Sequence, residues 1–188
     1  MKVIAIVGSP RKNGNTEMLA SHALKAIAEE KIESELILLF GKEIKPCNAC
    51  MACNESGECI IQDDFLPVFN SMLKADGIIL ASPVYFGSCT ALVKALMERA
   101  GWLSRPKGRP FNRKVGGPLV VARRSGQNFT IAEINFWFHI LGMIVPGSTY
   151  WNNAFGHQPG EVANDEEGLL TAWNFGKNLA FLLKKLNS

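Results

Sequence analysis

A chain of 188 residues fits one domain, or one domain with an embellishment, since domains run about 100–200 residues. Apolar residues make up 47% of it and the formal charge is only +3, which excludes a disordered chain and gives no reason to expect a nucleic-acid partner. No apolar run approaches the roughly 18 residues of a membrane span, and MKVIAIVGSP lacks the h-region and cleavage site of a signal peptide, so a cytoplasmic protein with reduced thiols and no membrane partner is expected.

Lys2 to Val7 is a β-branched apolar run of strand length, and Gly8 to Thr16 is a turn-rich loop that opens a helical pattern reaching about Glu30. Glu35 to Phe40 reads as a second strand, followed by a cysteine-rich segment, 41–62, in place of a short turn. Asp63 and Asp64 are expected to cap and charge a helix through Phe65, Val68, Phe69, Met72 and Leu73. Ile78 to Ala81 is a third strand, and Ser88 to about Trp102 has helical spacing through Leu92, Val93, Leu96 and Met97. Val115 to Ala122 makes a fourth strand and Met143 to Thr149 a fifth, with an apolar helix between them and a last helix from about Asp165 to Leu186. This alternation predicts an α/β fold: one domain over 1–188, with a doubly wound five-stranded parallel sheet in the flavodoxin-like order 2-1-3-4-5. Helices cover both faces, and the cysteine-rich insertion follows strand 2.

In such sheets ligands bind beyond the carboxyl ends of the strands, which selects four loops. The first, GSPRKNGNT, is neither a Walker A loop nor GxGxxG. Its donors Ser9, Asn13, Asn15 and Thr16, with Arg11 nearby, lead into a helix N-terminus and suit a terminal phosphate monoester bound without a metal, which points to FMN. An ordinary capped helix entry would need only Asn15 or Thr16. The loop after the third strand, SPVYFGSC, puts Pro83, Val84, Tyr85, Phe86 and Gly87 in a rigid turn that could wall a flavin ring, or simply cover the sheet end. In ARRSGQN, Arg123 and Arg124 before Gly126 could stabilise an anionic reduced flavin, or be surface charge. STYWNN adds Tyr150 and Trp151 to the same rim.

GSPRKNGNT, SPVYFG, ARRSGQNF and STYWN, around a compact cysteine segment ending in Asp63-Asp64, resemble the iron–sulfur flavoprotein branch of the NADPH-dependent FMN reductase family over nearly the whole chain. The resemblance implies a homodimer or a tetramer of dimers, a ferredoxin-type donor, and a small oxidant or quinone as acceptor. It implies a flavin-dependent oxidoreductase.

Cys47, Cys50, Cys53 and Cys59 are spaced C-x2-C-x2-C-x5-C. Three thiolates at consecutive x2 intervals wrap a compact inorganic core, so a single 4Fe–4S cluster is the simplest assignment. Structural zinc usually uses pairs separated by a long spacer, which is missing here, and a third alternative is a set of metal-free thiols. Leaving strand 2 at the carboxyl rim, the segment is expected beside a flavin, that of its own chain or, since strand 2 lies at a sheet edge, that of a neighbouring subunit. Cys89 reads as a small buried residue, and His22, His139 and His157 carry no assigned chemistry.

Two surfaces remain. Thr130 to Gly142 is apolar on nearly every side, which predicts packing against another subunit or, alternatively, burial under the chain's own long 103–114 loop. From Arg99 through Arg105, Lys107, Arg109, Arg113 and Lys114 to Arg124 no acidic residue intervenes, which reads as a solvated loop or as a docking surface for an acidic partner. The expected function is electron transfer through FMN and the cluster. The alternatives are an NAD(P)H-dependent FMN or quinone reductase without a cluster, and a non-catalytic flavin-binding or zinc-stabilised module.

Overall fold

β1, Lys2–Val7, is buried from Val3 onward because it occupies the middle of the sheet. The computed structural model describes residues 1–187. α1 is Asn15–Glu29 and β2 is Glu33–Leu38, followed by the short α2, Ala52–Ser56, and α3, Phe65–Lys74. Then come β3, Gly77–Pro83; α4, Ala91–Ser104; β4, Val115–Ala122; α5, Gln127–Ile140; β5, Asn153–Phe155; and α6, Glu166–Leu186. The strands are all parallel and run in the order β2-β1-β3-β4-β5, the flavodoxin-like order expected.

Strand side chains alternate between two cores, as the two-residue period of a pleat requires. Ile4 and Ile6 of β1 and Ile78 and Leu80 of β3 pack with α3, α4 and α5 on one face. Val3, Ala5 and Val7, with Ile79 and Ala81, pack with α1 and α6 on the other.

The fifth strand is not Met143–Thr149. That stretch touches the start of β4 at one bridge only, where Gly116 N–H donates to Ile144 C=O (3.0 Å) and Ile144 N–H to Lys114 C=O (2.9 Å). Pro146 then follows, and a proline cannot donate to a ladder. Between the Val115–Ile144 and Val120–Asn153 pairings the offset grows from 29 to 33 residues, so four extra residues bulge out of the edge. Tyr150 and Trp151 stand in this bulge.

Lys114 is not part of a basic surface. It is half-buried, and its Nζ donates to the carbonyls of Met72, Leu73 (2.7 Å) and Ala75, which are orphans at the end of α3. Burial pushes its pKa down.

The first loop is fixed to α4 by Thr90, whose Oγ1 donates to Gly8 C=O (2.7 Å) and caps the helix by accepting from Val93 N–H (3.4 Å). Backbone and helix approach so closely that a Cβ on Gly8 would lie 2.0 Å from Val93 Cγ2. Gly8→Ala is therefore expected to cost about 1–3 kcal/mol through overpacking, read as a lower urea midpoint at unchanged m-value.

Candidate functional site

A cleft of about 340 Å³ opens at the carboxyl rim, as the crossover rule requires. Its floor is the first loop: Ser9, Asn15 and Thr16 are buried, and Arg11 reaches in from the exposed side. Ser9 Oγ accepts from Arg11 N–H (3.1 Å), which turns the loop back on itself. Gly14, the cap residue of α1, supplies no side-chain acceptor, so the first-turn N–H groups are left for an anion, as the helix dipole favours.

The second wall is a turn. Tyr85 and Ser88 exchange backbone hydrogen bonds (2.9 and 3.1 Å) around Phe86 and Gly87, whose φ angles of 52° and 80° are both positive. Two positive φ angles define a type I′ turn, which Gly87 accepts freely and Phe86 only under strain. Phe86 is fully exposed at the tip, with Pro83, Val84 and Tyr85 lining the cleft below it. Glu133 of α5 braces this turn: its Oε2 accepts from Ser88 Oγ (2.7 Å) and Cys89 N–H (3.2 Å). Those contacts outweigh burial and hold its carboxyl below the usual range.

Val121 of β4 and Arg123 just beyond it close the cleft on one side, and Gly156 and His157 from the loop after β5 on the other. That last wall is absent from the sequence reading. Arg11 Nη1 donates to His157 C=O (3.0 Å), and Asn15 Nδ2 donates to Gln158 C=O (2.8 Å) while its Oδ1 accepts from Val162 N–H (3.3 Å). Glu161 accepts from the N–H groups of His157 (2.6 Å) and Gln158 (2.9 Å), and these lower its pKa. A Cβ on Gly156 would sit 2.8 Å from Asn15 Nδ2, so this wall closes on the first loop only with glycine there. The Gly-Pro-rich run GHQPG is the signal that would have found it, once the fifth strand is placed correctly.

Of the rim residues, Ser9, Arg11, Asn15, Thr16, Pro83, Val84, Tyr85, Phe86 and Arg123 come together around the cleft. Asn13 stands outside, its N–H donating to Glu17 Oε2 (2.7 Å). Gly87 and Gly126 act from behind: at φ +89°, a Cβ on Gly126 would meet Val84 Cγ1 at 2.9 Å and Gly87 Cα at 3.2 Å. Arg124 is solvent-exposed, and Tyr150 and Trp151 lie in the edge bulge, ring centroids 4.9 Å apart, away from the cleft.

The four clustered cysteines line one apolar recess together with Trp102 and Leu103 of α4. Between them Ala49, Met51 and Gly57 adopt positive φ angles of 55°, 61° and 67°. Left-handed residues interspersed in a loop turn successive N–H groups inward, a backbone form that suits anionic centres such as iron–sulfur sites. Burial pushes the Cys53 thiol up, and the charges of Cys59, Cys47 and Cys50 add to it. Among the described residues no three His, Cys, Asp or Glu side chains are arranged to hold a single metal ion. Cys89 is separate and buried, its thiol pushed up to about 12 by burial and then by Glu133, which disfavours the thiolate.

Three expectations change here. Arg99 is not solvated: it is 2% exposed, its guanidinium 4.1 Å above the Phe65 ring. Its Nη1 donates to Asp63 Oδ2 (2.5 Å) and Lys45 C=O (3.3 Å), and its Nη2 to Cys59 Sγ (3.3 Å) and Ile61 C=O (3.2 Å). Asp64 does not cap α3; its Oδ2 accepts from Glu43 N–H (2.7 Å), while Asp63 accepts from Lys45 N–H (2.8 Å) and Phe65 N–H (3.1 Å). The acidic pair thus ties the end of the cysteine segment to its beginning. Nor does the recess adjoin the cleft: the two share no lining residue, and the recess lies beside the C-terminal half of α4, whose N-terminal cap serves the cleft.

A doubly wound sheet with a polar loop and an aromatic turn at its crossover is a cofactor-binding arrangement, and the family match makes the chain a flavin-dependent oxidoreductase. Residues 1–158 match the NADPH-dependent FMN reductase family, to which the chain belongs. It is 47% identical to an iron–sulfur flavoprotein of Methanocaldococcus jannaschii, with 98% of each chain covered. An iron–sulfur flavoprotein of Methanosarcina thermophila is 38% identical, covering 98% of this chain and 96% of the relative. Among solved structures, RosB with bound 8-demethyl-8-formylriboflavin-5′-phosphate superimposes with a TM-score of 0.78 at 19% identity, over 100% of this chain and 80% of that one, which shows a shared fold. No helix among the described residues is long and apolar enough to cross a membrane.

The Arg99–Asp63 pair is fully enclosed, and its loss should be costly. Arg99→Ala should destabilise by about 3–5 kcal/mol, because it strands a buried carboxylate, as measured by denaturant unfolding. Contacts to Arg99 and to backbone N–H groups overcome burial and lower the pKa of Asp63. Its share of stability is thus complete above the unfolded value near pH 4 and lost as pH falls through the folded one. Acid titration by circular dichroism should show Asp63→Asn with less of this acid-side loss.

Proposed function

We propose that the chain carries FMN in the rim cleft and one 4Fe–4S cluster on Cys47, Cys50, Cys53 and Cys59, and moves electrons between a ferredoxin-type donor and a small oxidant or quinone. The observation that carries this reading is the convergence of all four cysteines on one recess, with a buried guanidinium donating to Cys59 Sγ. Among the described residues the cysteines are not gathered closely enough to hold a single metal ion, which speaks against zinc. Thiolates on one zinc, at about 2.3 Å bonds, must sit within roughly 4 Å of each other, whereas a four-iron cube gives each thiolate its own iron and spaces them more widely. FMN exchanges electrons singly or in pairs and a cluster one at a time, so together they would join two-electron to one-electron chemistry.

The protein's part is to bind and orient. Ser9, Asn15, Thr16 and Arg11 supply hydroxyl, amide and cationic donors for a terminal phosphate, beside the uncapped N-terminus of α1. Tyr85 and Phe86 give an aromatic wall for the ring system, and Arg123 brings a positive charge to the far side of the cleft.

Two exposed surfaces support the reading of its partners. Arg105, Lys107, Arg109 and Arg113 remain exposed, and the Arg105 guanidinium lies 4.5 Å from the ring centroid of Trp102, which walls the cysteine recess. An acidic ferredoxin would dock there, close to the cluster. On α5, Phe129, Phe136 and Ile140 share one face and are 76%, 73% and 71% exposed, which supports packing against a second copy as a dimer or a tetramer of dimers. Because cleft and recess are apart within a chain, such a copy would also be the route by which a cluster meets a flavin.

Protein purified without oxygen should show flavin bands over broad absorbance near 400 nm, with about four irons and four sulfides per chain. Flavin bands alone, with rapid bleaching by NADPH, would instead establish an NAD(P)H-dependent FMN or quinone reductase, the reading favoured by the family description. Electron transfer from an acidic ferredoxin should slow steeply with salt, by tenfold or more between low and about 0.5 M ionic strength. Phe136→Glu should shift the light-scattering mass of the unsubstituted protein toward that of one chain.

A further inference from the structure

Arg99 is the largest fully buried side chain among the described residues, and its two terminal nitrogens serve different ends. Nη1 holds the base of the cysteine segment through Asp63 and Lys45, which is all that closing the loop requires. Nη2 turns the other way, to Cys59 Sγ at 3.3 Å and Ile61 C=O at 3.2 Å. A neutral thiol is a poor acceptor and repays a buried guanidinium little, whereas a sulfur with negative charge is a strong one. The fork is therefore laid out for a charged sulfur.

We infer that Arg99 sets the reduction potential of the cluster that Cys59 helps to hold, and that Asp63 opposes it. This rests on the iron–sulfur reading of the four cysteines. Adding an electron makes the cluster and its sulfurs more negative, so an N–H···S bond from a permanent buried cation favours the reduced state. Asp63, 2.5 Å from Nη1, cancels part of that charge from the opposite arm. A residue on α4, outside the cysteine motif, thereby acts as a positioning residue for the metal site, and the pair works as a two-part setting with opposite signs.

The test is a redox titration followed by electron paramagnetic resonance on full-length, anaerobically purified protein, with iron and sulfide analysis and thermal melts of each sample. The unsubstituted protein is compared with Arg99→Gln and Asp63→Asn. Arg99→Gln should lower the midpoint by a tenfold or larger change in the one-electron equilibrium, about 59 mV, and Asp63→Asn should raise it. A purely structural pair would lower both melting temperatures and move both potentials the same way or not at all, which overturns the inference. If Arg99→Gln fails to keep its cluster, Asp63→Asn decides alone, since it retains the Nη2 donor: a rise supports the inference, and no rise or a fall overturns it. Unsubstituted protein without iron and sulfide would overturn the cluster reading and this inference with it. An intact cluster whose potential ignores both substitutions would overturn this inference only.

Discussion

The cysteine segment depends on one enclosed ion pair. Residues 41–62 have little core of their own, since α2 is five residues long and buries none of them. What gives the segment a shape is the guanidinium of Arg99, which reaches from α4 to both of its ends and to one of its sulfurs. The arrangement uses the planar fork of arginine; a lysine offers one nitrogen and could not span the same partners. Stacking on Phe65 joins this polar knot to the core beneath α3 and α4.

The cleft is organised differently, by backbone brought close to backbone. Thr90 ties the first loop to α4, Gly126 admits the aromatic turn, Gly156 admits the loop after β5, and Asn15 bonds across to that loop at both ends of its amide. Small or polar residues at these contacts leave the binding surface to Ser9, Thr16, Tyr85 and Phe86. One helix, α4, serves both sites, with its capped start at the cleft and its second half at the recess. Anything that shifts α4 along its axis would be felt at both.

What the sequence revealed follows from how local each signal is. Apolar runs of period two and loops at strand ends are local patterns, and they placed β1, β3, β4 and the first two cleft loops correctly. β5 escaped because its pairing is interrupted: Met143–Val145 has the composition of a strand, while the residues that pair, Asn153–Phe155, are few and begin with asparagine. That one misplacement hid the His157 loop and put Tyr150 and Trp151 on the rim. Arg99 was illegible for another reason. Its partners lie 36 to 54 residues away, and within its own stretch it looks like the first of a row of surface cations.

The broken course of β5 has a consequence for how the molecule behaves in a crowd. A parallel sheet ends in two rows of unpaired amides, each a template on which another chain could polymerise. Here one border is a strand of only three residues, separated from the lone Ile144 bridge by Pro146 and the exposed pair Tyr150 and Trp151. The other, β2, carries Glu33 and Glu35, both paired with Lys2 beside them (3.0 and 2.7 Å). Neither border offers a long, flat, uncharged strand. The exposed apolar side chains of α5 are thus not matched by any comparably open backbone edge.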